Sequence, residues 1–290
     1  MNPFDLRGPE FLLFYLGFAT VVIVGAWLAR RMMEAAPAPK MELDPYAIAY
    51  LRGGKNEAVR VAMVSLIDRG LLTADGDEVV RAPHADPASV RRPLEKVLLE
   101  KFAAKYKAPV IFREITMEAH CAPFQSILKE HALLPDTKVK LSRAAIYCSA
   151  SALLLGVGGN KVYVAFERGH SNVEILVLLT LIAPLLAWNP CFPRLTERGK
   201  AMLDDLRALY AGLKTRAAAI PPGGATIDAL MLAAVFGLGL LPATNFGYAK
   251  TLFPQGTGTG SSGCGSSCGS SCGSSCGGGG CGGGCGGCGS

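Results

Sequence analysis

Seven cysteines crowd the last 27 residues of this 290-residue chain: Cys264, Cys268, Cys272, Cys276, Cys281, Cys285 and Cys288. Thiolate sulfur on a flexible backbone suits soft metal ions, Cu(I) or Zn, without a preformed site. The same thiols are also open to oxidation, cross-linking or a modifying enzyme, and an external location would favour disulfides. A third reading makes them incidental to a flexible extension. Three CGSS repeats space the first four cysteines, and the remaining gaps are four, three and two residues. A zinc ribbon uses two close pairs around a structured spacer, which this tail lacks. It also holds no His, Lys or acid to depress a thiol pKa, so catalysis by the tail is not expected. From Gly256 to Ser290 only Gly, Ser, Cys and Thr occur. With no large apolar side chain to offset ordering entropy, such a segment is expected to be disordered alone.

What positions the tail is an apolar body. Half the residues are apolar and 18% are charged, against the usual ~25% for soluble domains. The excess sits in four stretches, 11–29, 144–166, 173–189 and 227–247. The first has no charge over 19 residues, with Tyr15 and Trp27 near its ends. Its basic pair, Arg30–Arg31, follows the apolar core rather than preceding it, which points to an uncleaved anchor and not a signal peptide. The second stretch is interrupted by Gly158-Gly159-Asn160-Lys161 and is expected to end near residue 160, with Lys161 snorkelling to the interface. The short ERGHSN loop joins it to the third as a helical hairpin, in which Pro184 marks a kink. The fourth, weakened by Gly237, Gly239 and Pro242, is expected to span.

Lys and Arg fall 25 on the side of segments 30–143 and 190–226 and 4 on the other, so those segments are read as internal. The tail is then external if the fourth span exists and cytoplasmic if it does not. The net charge of +6 is topogenic on this reading, and nucleic acid is disfavoured as a partner.

Between the first two stretches, Asp44-Pro45 signals a helix start, and Gly53-Gly54 its end. A second helix is expected over 55–69 with Gly70 as its cap, followed by a hairpin in LLTADGDEVVRA and helices near 93–107 and 116–132. Two helices and a hairpin suggest a winged-helix-like module. The second helix opposes Lys55, Arg60 and Arg69 with Glu57 and Asp68, which is not a DNA-reading face. Further on, Thr196 is expected to cap an amphipathic helix over 195–214 that packs on this module or lies on the membrane.

The blocks NPFDLRGPEFLLFY, DPYAIAYLRGG and LTERGKAML, followed by a Gly/Cys tail, occur in that order. Together they resemble a family of uncharacterised bacterial membrane proteins with a conserved N-terminal NPFDLxGPxFLxxY region and a glycine/cysteine-rich C-terminus. The resemblance covers nearly the whole chain and implies a bacterial cell-membrane protein, with no activity attached. This tail is serine-richer in its first half than the family pattern.

The resulting expectation is a mainly α membrane protein with about four transmembrane helices, a small internal winged-helix-like α/β module and a disordered C-terminal tail. Residues 1–33 form an anchor, 34–142 a cytoplasmic winged-helix-like module, and 143–190 a transmembrane hairpin. An amphipathic helix occupies 191–225, a fourth span 226–250 and the tail 251–290. No phosphate loop, nucleophile elbow or zincin motif appears, so the leading function is non-enzymatic display of the tail, in contact with lipid and with a tail-modifying enzyme or metal. The alternative is a membrane-bound regulator whose module binds a protein partner or DNA. His120, Cys121 and His131 are read as surface or packing residues, Cys148 and Cys191 as small apolar fillers, and Glu174 as an interfacial carboxylate.

Overall fold

The structure, a computed structural model, describes residues 8–35, 37, 39, 41, 43–167, 174–217 and 227–253. The seven tail cysteines lie outside the described residues, as do Arg168 and His170.

Helix α1 runs Gly8–Glu34, starting with Glu10 in its first turn and closing on Arg31 in its last, as the helix dipole favours. The chain then enters the domain expected over 34–142. Asp44 accepts a hydrogen bond from the Tyr46 amide at 2.8 Å, and Pro45 opens α2, Pro45–Gly53. Gly54, at φ 82°, turns the chain into α3, Lys55–Asp68. That helix ends in a Schellman motif. The Leu71 amide donates to the Leu66 carbonyl, the Gly70 amide donates to Ile67, and Gly70 takes φ 71°.

The hairpin follows as β1, Leu72–Asp75, and β2, Glu78–Arg81, paired antiparallel through Gly76 at φ 64°. Helix α4 covers Pro93–Lys101. It stops short of the expected residue 107, because Tyr106–Lys107 forms β3 and pairs with β2 instead. The sheet order is β1-β2-β3. A short helix, α5 (Ala108–Ile111), leads to α6, Thr116–Glu130.

Helix α6 ends in a second Schellman motif, but Ala132 holds the left-handed position at φ 56°. A Cβ there costs on the order of 1–2 kcal/mol. Ala132→Gly is therefore expected to raise stability by about 0.5–1 kcal/mol, after the glycine's larger unfolded-state entropy is offset. Thermal unfolding of the detergent-solubilised protein would read the gain.

Helices α7, Thr137–Glu167, and α8, Glu174–Cys191, pack on each other and on α1. These three are long and apolar enough to cross a membrane, with windows of mean hydropathy 2.3, 1.4 and 1.7. At ~1.5 Å per residue even α8, with its 18 residues, reaches roughly the hydrocarbon thickness of a bilayer. Their outward faces expose Leu13, Val21, Leu178 and Leu185, apolar surface of the kind lipid covers. The inward faces bury Phe11, Tyr15, Leu154 and Ala183. Helix α7 runs through the glycine pair to Glu167, beyond the expected end near 160. Lys161 does not snorkel: it is buried, with its ammonium 4.8 Å from the Phe11 ring centre. Gly158 permits the close approach of α7 to α8, since a Cβ there would meet the Thr180 side chain.

Thr196 accepts from the Gly199 amide at 3.0 Å and opens α9, Glu197–Leu209, followed by α10, Ala211–Thr215. Met202 and Leu206 of α9 enter the domain core, so this helix packs on the domain.

The expected fourth span over 226–250 is not a continuous helix. It breaks into α11 (Asp228–Phe236), a short 3-10 turn at Leu238–Leu240, α12 (Ala243–Phe246) and α13 (Tyr248–Leu252). Gly237, at φ 102°, ends α11 after nine residues, a length of roughly 14 Å. Its apolar residues go elsewhere. Leu232, Ala233, Val235, Leu238, Phe246 and Phe253 are buried in the same core as Tyr46, Leu51, Met63 and Phe102. One domain is thus assembled from the 43–134 region, α9 and the 227–253 segment, with the α7–α8 hairpin inserted between its parts.

Candidate functional site

The residues read as topogenic charges meet where the helix bundle joins the domain. Arg30, Glu34 and Arg143 have side chains only 2, 7 and 3% exposed. Arg143, in the second turn of α7, donates Nε to Glu34 Oε1 at 2.6 Å and a terminal nitrogen to Glu34 Oε2 at 2.9 Å. This is the bidentate fork that suits arginine and carboxylate. The same guanidinium donates to the backbone carbonyls of Pro193 at 2.6 Å and Leu195 at 3.1 Å. Arg30, one turn before Glu34 on α1, reaches Glu34 at 3.2 Å and Glu197 at 2.8 Å. Lys200 adds a contact to Glu197 at 2.9 Å. Burial works to raise the Glu197 pKa, but its hydrogen bonds from Lys200 and Arg30 outweigh it and hold the carboxyl below the usual range.

The segment between α8 and α9 carries the rest of the joint. Arg194 donates to the carbonyls of Leu51 at 2.9 Å and Tyr50, at the C-terminus of α2 where a cation is favoured. Thr196 donates to the Ala132 carbonyl at 2.7 Å, beyond the end of α6. Gly199 lies so close to the Leu133 carbonyl that no Cβ fits there. Four successive residues, Arg194 to Glu197, therefore tie α8 to α1, α2, α6 and α7. An aromatic cluster of Tyr147, Trp188 and Phe192 sits beside the joint, with Trp188 and Phe192 ring centres 4.3 Å apart. Amphipathic rings collect at membrane interfaces in this way. Comparison with protein families, curated proteins and solved structures gives no match.

The residues singled out for chemistry are dispersed. Cys121 is buried in the domain core, and burial pushes its thiol up to about 11, away from reactivity. Cys191 is buried against Ala26 and Ala150 of the bundle, while Cys148 is exposed on α7. His131 caps α6, and Glu174 opens α8 on its exposed side. Among the described residues, no group of three or more His, Cys, Asp or Glu side chains gathers to hold a metal. The cations of α3 and of its C-cap, Arg69, have partners within the domain. Arg60 pairs with Glu57, Arg69 with Glu95, and Lys55 donates to the Glu114 carbonyl at 3.4 Å.

Sequence reasoning did not find the junction. Its one legible signal is Glu34, an acid in the last turn of an apolar helix whose end otherwise carries basic residues.

Proposed function

We propose that this chain is a non-enzymatic membrane scaffold of the bacterial cell membrane, in which a three-helix anchor is locked to an internal domain and the cysteine tail is presented on that domain's side of the bilayer. The observation that carries this reading is the fate of residues 227–253. With that apolar segment spent on the domain core, the remaining sequence holds no further apolar stretch able to return the tail across the membrane. Lys250 then joins the basic side, and only Arg7, Lys161 and Arg168 remain opposite it, which strengthens the cytoplasmic assignment of the domain.

A cytoplasmic tail meets a reducing compartment, so its cysteines are available as thiols and not as disulfides. Closely spaced thiols on a glycine backbone favour a soft-metal role, with Cu(I) or Zn as the ion held by Cys264 to Cys288. Enzymatic modification of the same thiols is the competing fate. The internal cations of α3 are engaged within the domain, which argues against a DNA-binding role for it.

The test is thiol labelling of intact cells with a membrane-impermeant maleimide. The tail cysteines are expected to stay unlabelled until the cells are lysed. Labelling before lysis, or only after reduction of intact cells, would place the tail outside and sink the proposal. Native mass spectrometry of the whole purified chain then separates free thiol, bound metal and covalent adduct.

A further inference from the structure

Apart from the junction, the internal domain carries a cavity of about 360 Å³, a size that holds small molecules. It lies between α3, the start of α4 and the 227–246 segment. Its lining residues are of two kinds. Val64, Val90, Leu230 and Phe246 are apolar. The charged ones are three arginines, Arg69, Arg91 and Arg92, with Glu95 and Asp68.

Most of the charged residues are held by contacts of their own. Glu95 is 3% exposed, and its carboxylate accepts from the Tyr46 hydroxyl and from Arg69 at 2.5 Å, with Arg92 at 3.8 Å. Arg92 is further fixed by Asp44 at 3.0 Å and by lying 4.6 Å over the Tyr46 ring. A guanidinium offers five N–H donors, and these contacts use only some of them. Arg69 and Arg92 thus stand at the cavity with their planes held, each still about a third exposed. Arg91 is different. It is exposed and has no partner among the described residues. A purely structural account of Glu95 requires no third arginine beside the first two.

From this we infer that the cavity binds a small monoanion with an apolar body, of the aryl- or acyl-carboxylate class. The charge count sets the valence. Glu95 pairs with Arg69 and Asp44 with Arg92, which leaves Arg91 as the one guanidinium without a carboxylate partner among the described residues, a single positive charge for the ligand to neutralise. A dianionic phosphate would over-compensate it beside Asp68. The carboxylate sits against Arg91 and the free donors of Arg69 and Arg92, and the hydrocarbon body covers Leu230 and Phe246. Because those two residues belong to the segment after Ile227, occupancy also fastens that segment to α3.

The probe is 3-phenylpropionate, added to the full chain in lipid nanodiscs and followed by hydrogen–deuterium exchange. The expected result is a saturable slowing of exchange in peptides from 227–253 and from the C-terminal half of α3. Its uncharged amide is expected to require a concentration higher by about tenfold or more, the factor that ~1.4 kcal/mol represents. Arg91→Glu should raise the half-saturating concentration by at least as much and leave unliganded exchange unchanged, since Arg91 supports no fold contact. Equal protection by acid and amide, or binding indifferent to Arg91→Glu, would overturn the inference. So would the absence of any protection at millimolar probe. None of these outcomes depends on which side of the membrane the tail occupies.

Discussion

Arg143→Ala is expected to destabilise the protein by about 3–5 kcal/mol, the cost of breaking one partner out of a buried ion pair. The magnitude follows from what the change strands. Glu34 loses its bidentate partner while remaining buried, and the carbonyls of Pro193 and Leu195 lose their donor. Arg30 still reaches Glu34, but at 3.2 Å and while shared with Glu197. Because the network is charged, Arg143→Met alone should be nearly as harmful. Arg143→Met combined with Glu34→Met should recover a good part of the loss, since replacing both partners by apolar groups removes the stranded charge. Thermal unfolding in detergent of the two single variants and the double closes the cycle. Additive losses would show that the pair contributes no coupling and that the junction is held by packing alone.

The second large effect is expected at Gly199. In a helix interior, glycine to alanine ordinarily gains about 1 kcal/mol. Here the added Cβ would press on the Leu133 carbonyl, which already accepts from Thr196 and follows the strained turn at Ala132. Backbone has little room to yield, so Gly199→Val should cost a net ~2–3 kcal/mol, within the range for overpacking. The distinctive readout is local. Limited proteolysis should cut between α8 and α9 first, because α9 is the element pushed off α6. Uniform proteolysis across the domain would count against a clash confined to that contact.

The local features of the fold are those the sequence shows openly. Asp44-Pro45, Gly54, Gly70 and Thr196 act at the helix ends where their chemistry suggests, and the Asp75–Glu78 turn closes the hairpin. The three long apolar helices also follow from composition. Residues 227–247 did not, for a physical reason. Hydropathy measures aversion to water and is satisfied equally by lipid or by a protein core. The break at Gly237 and the contact of Phe253 with Phe112, ring centres 5.9 Å apart, are what assign this stretch to the core. The junction was hidden for another reason. Arg143 meets Glu34 across 109 residues and Arg30 meets Glu197 across 167. Charges near the ends of apolar helices satisfy the topology rule whether they face water or one another, and nothing in their spacing distinguishes the cases.

The C-terminal segment that completes the domain core has a bearing on how the molecule is made. The ribosome delivers α1, then α2 to α6, next the hairpin of α7 and α8 with α9 and α10, and only after these the residues from Asp228 to Phe253. Until those arrive, the partners of Leu51 and Met63 are incomplete, and the domain emerges as an unfinished half with apolar surface uncovered. Insertion of the hairpin therefore precedes completion of the domain during synthesis. A chain released before residue 227 would keep the three long helices but lack the residues that close the domain core.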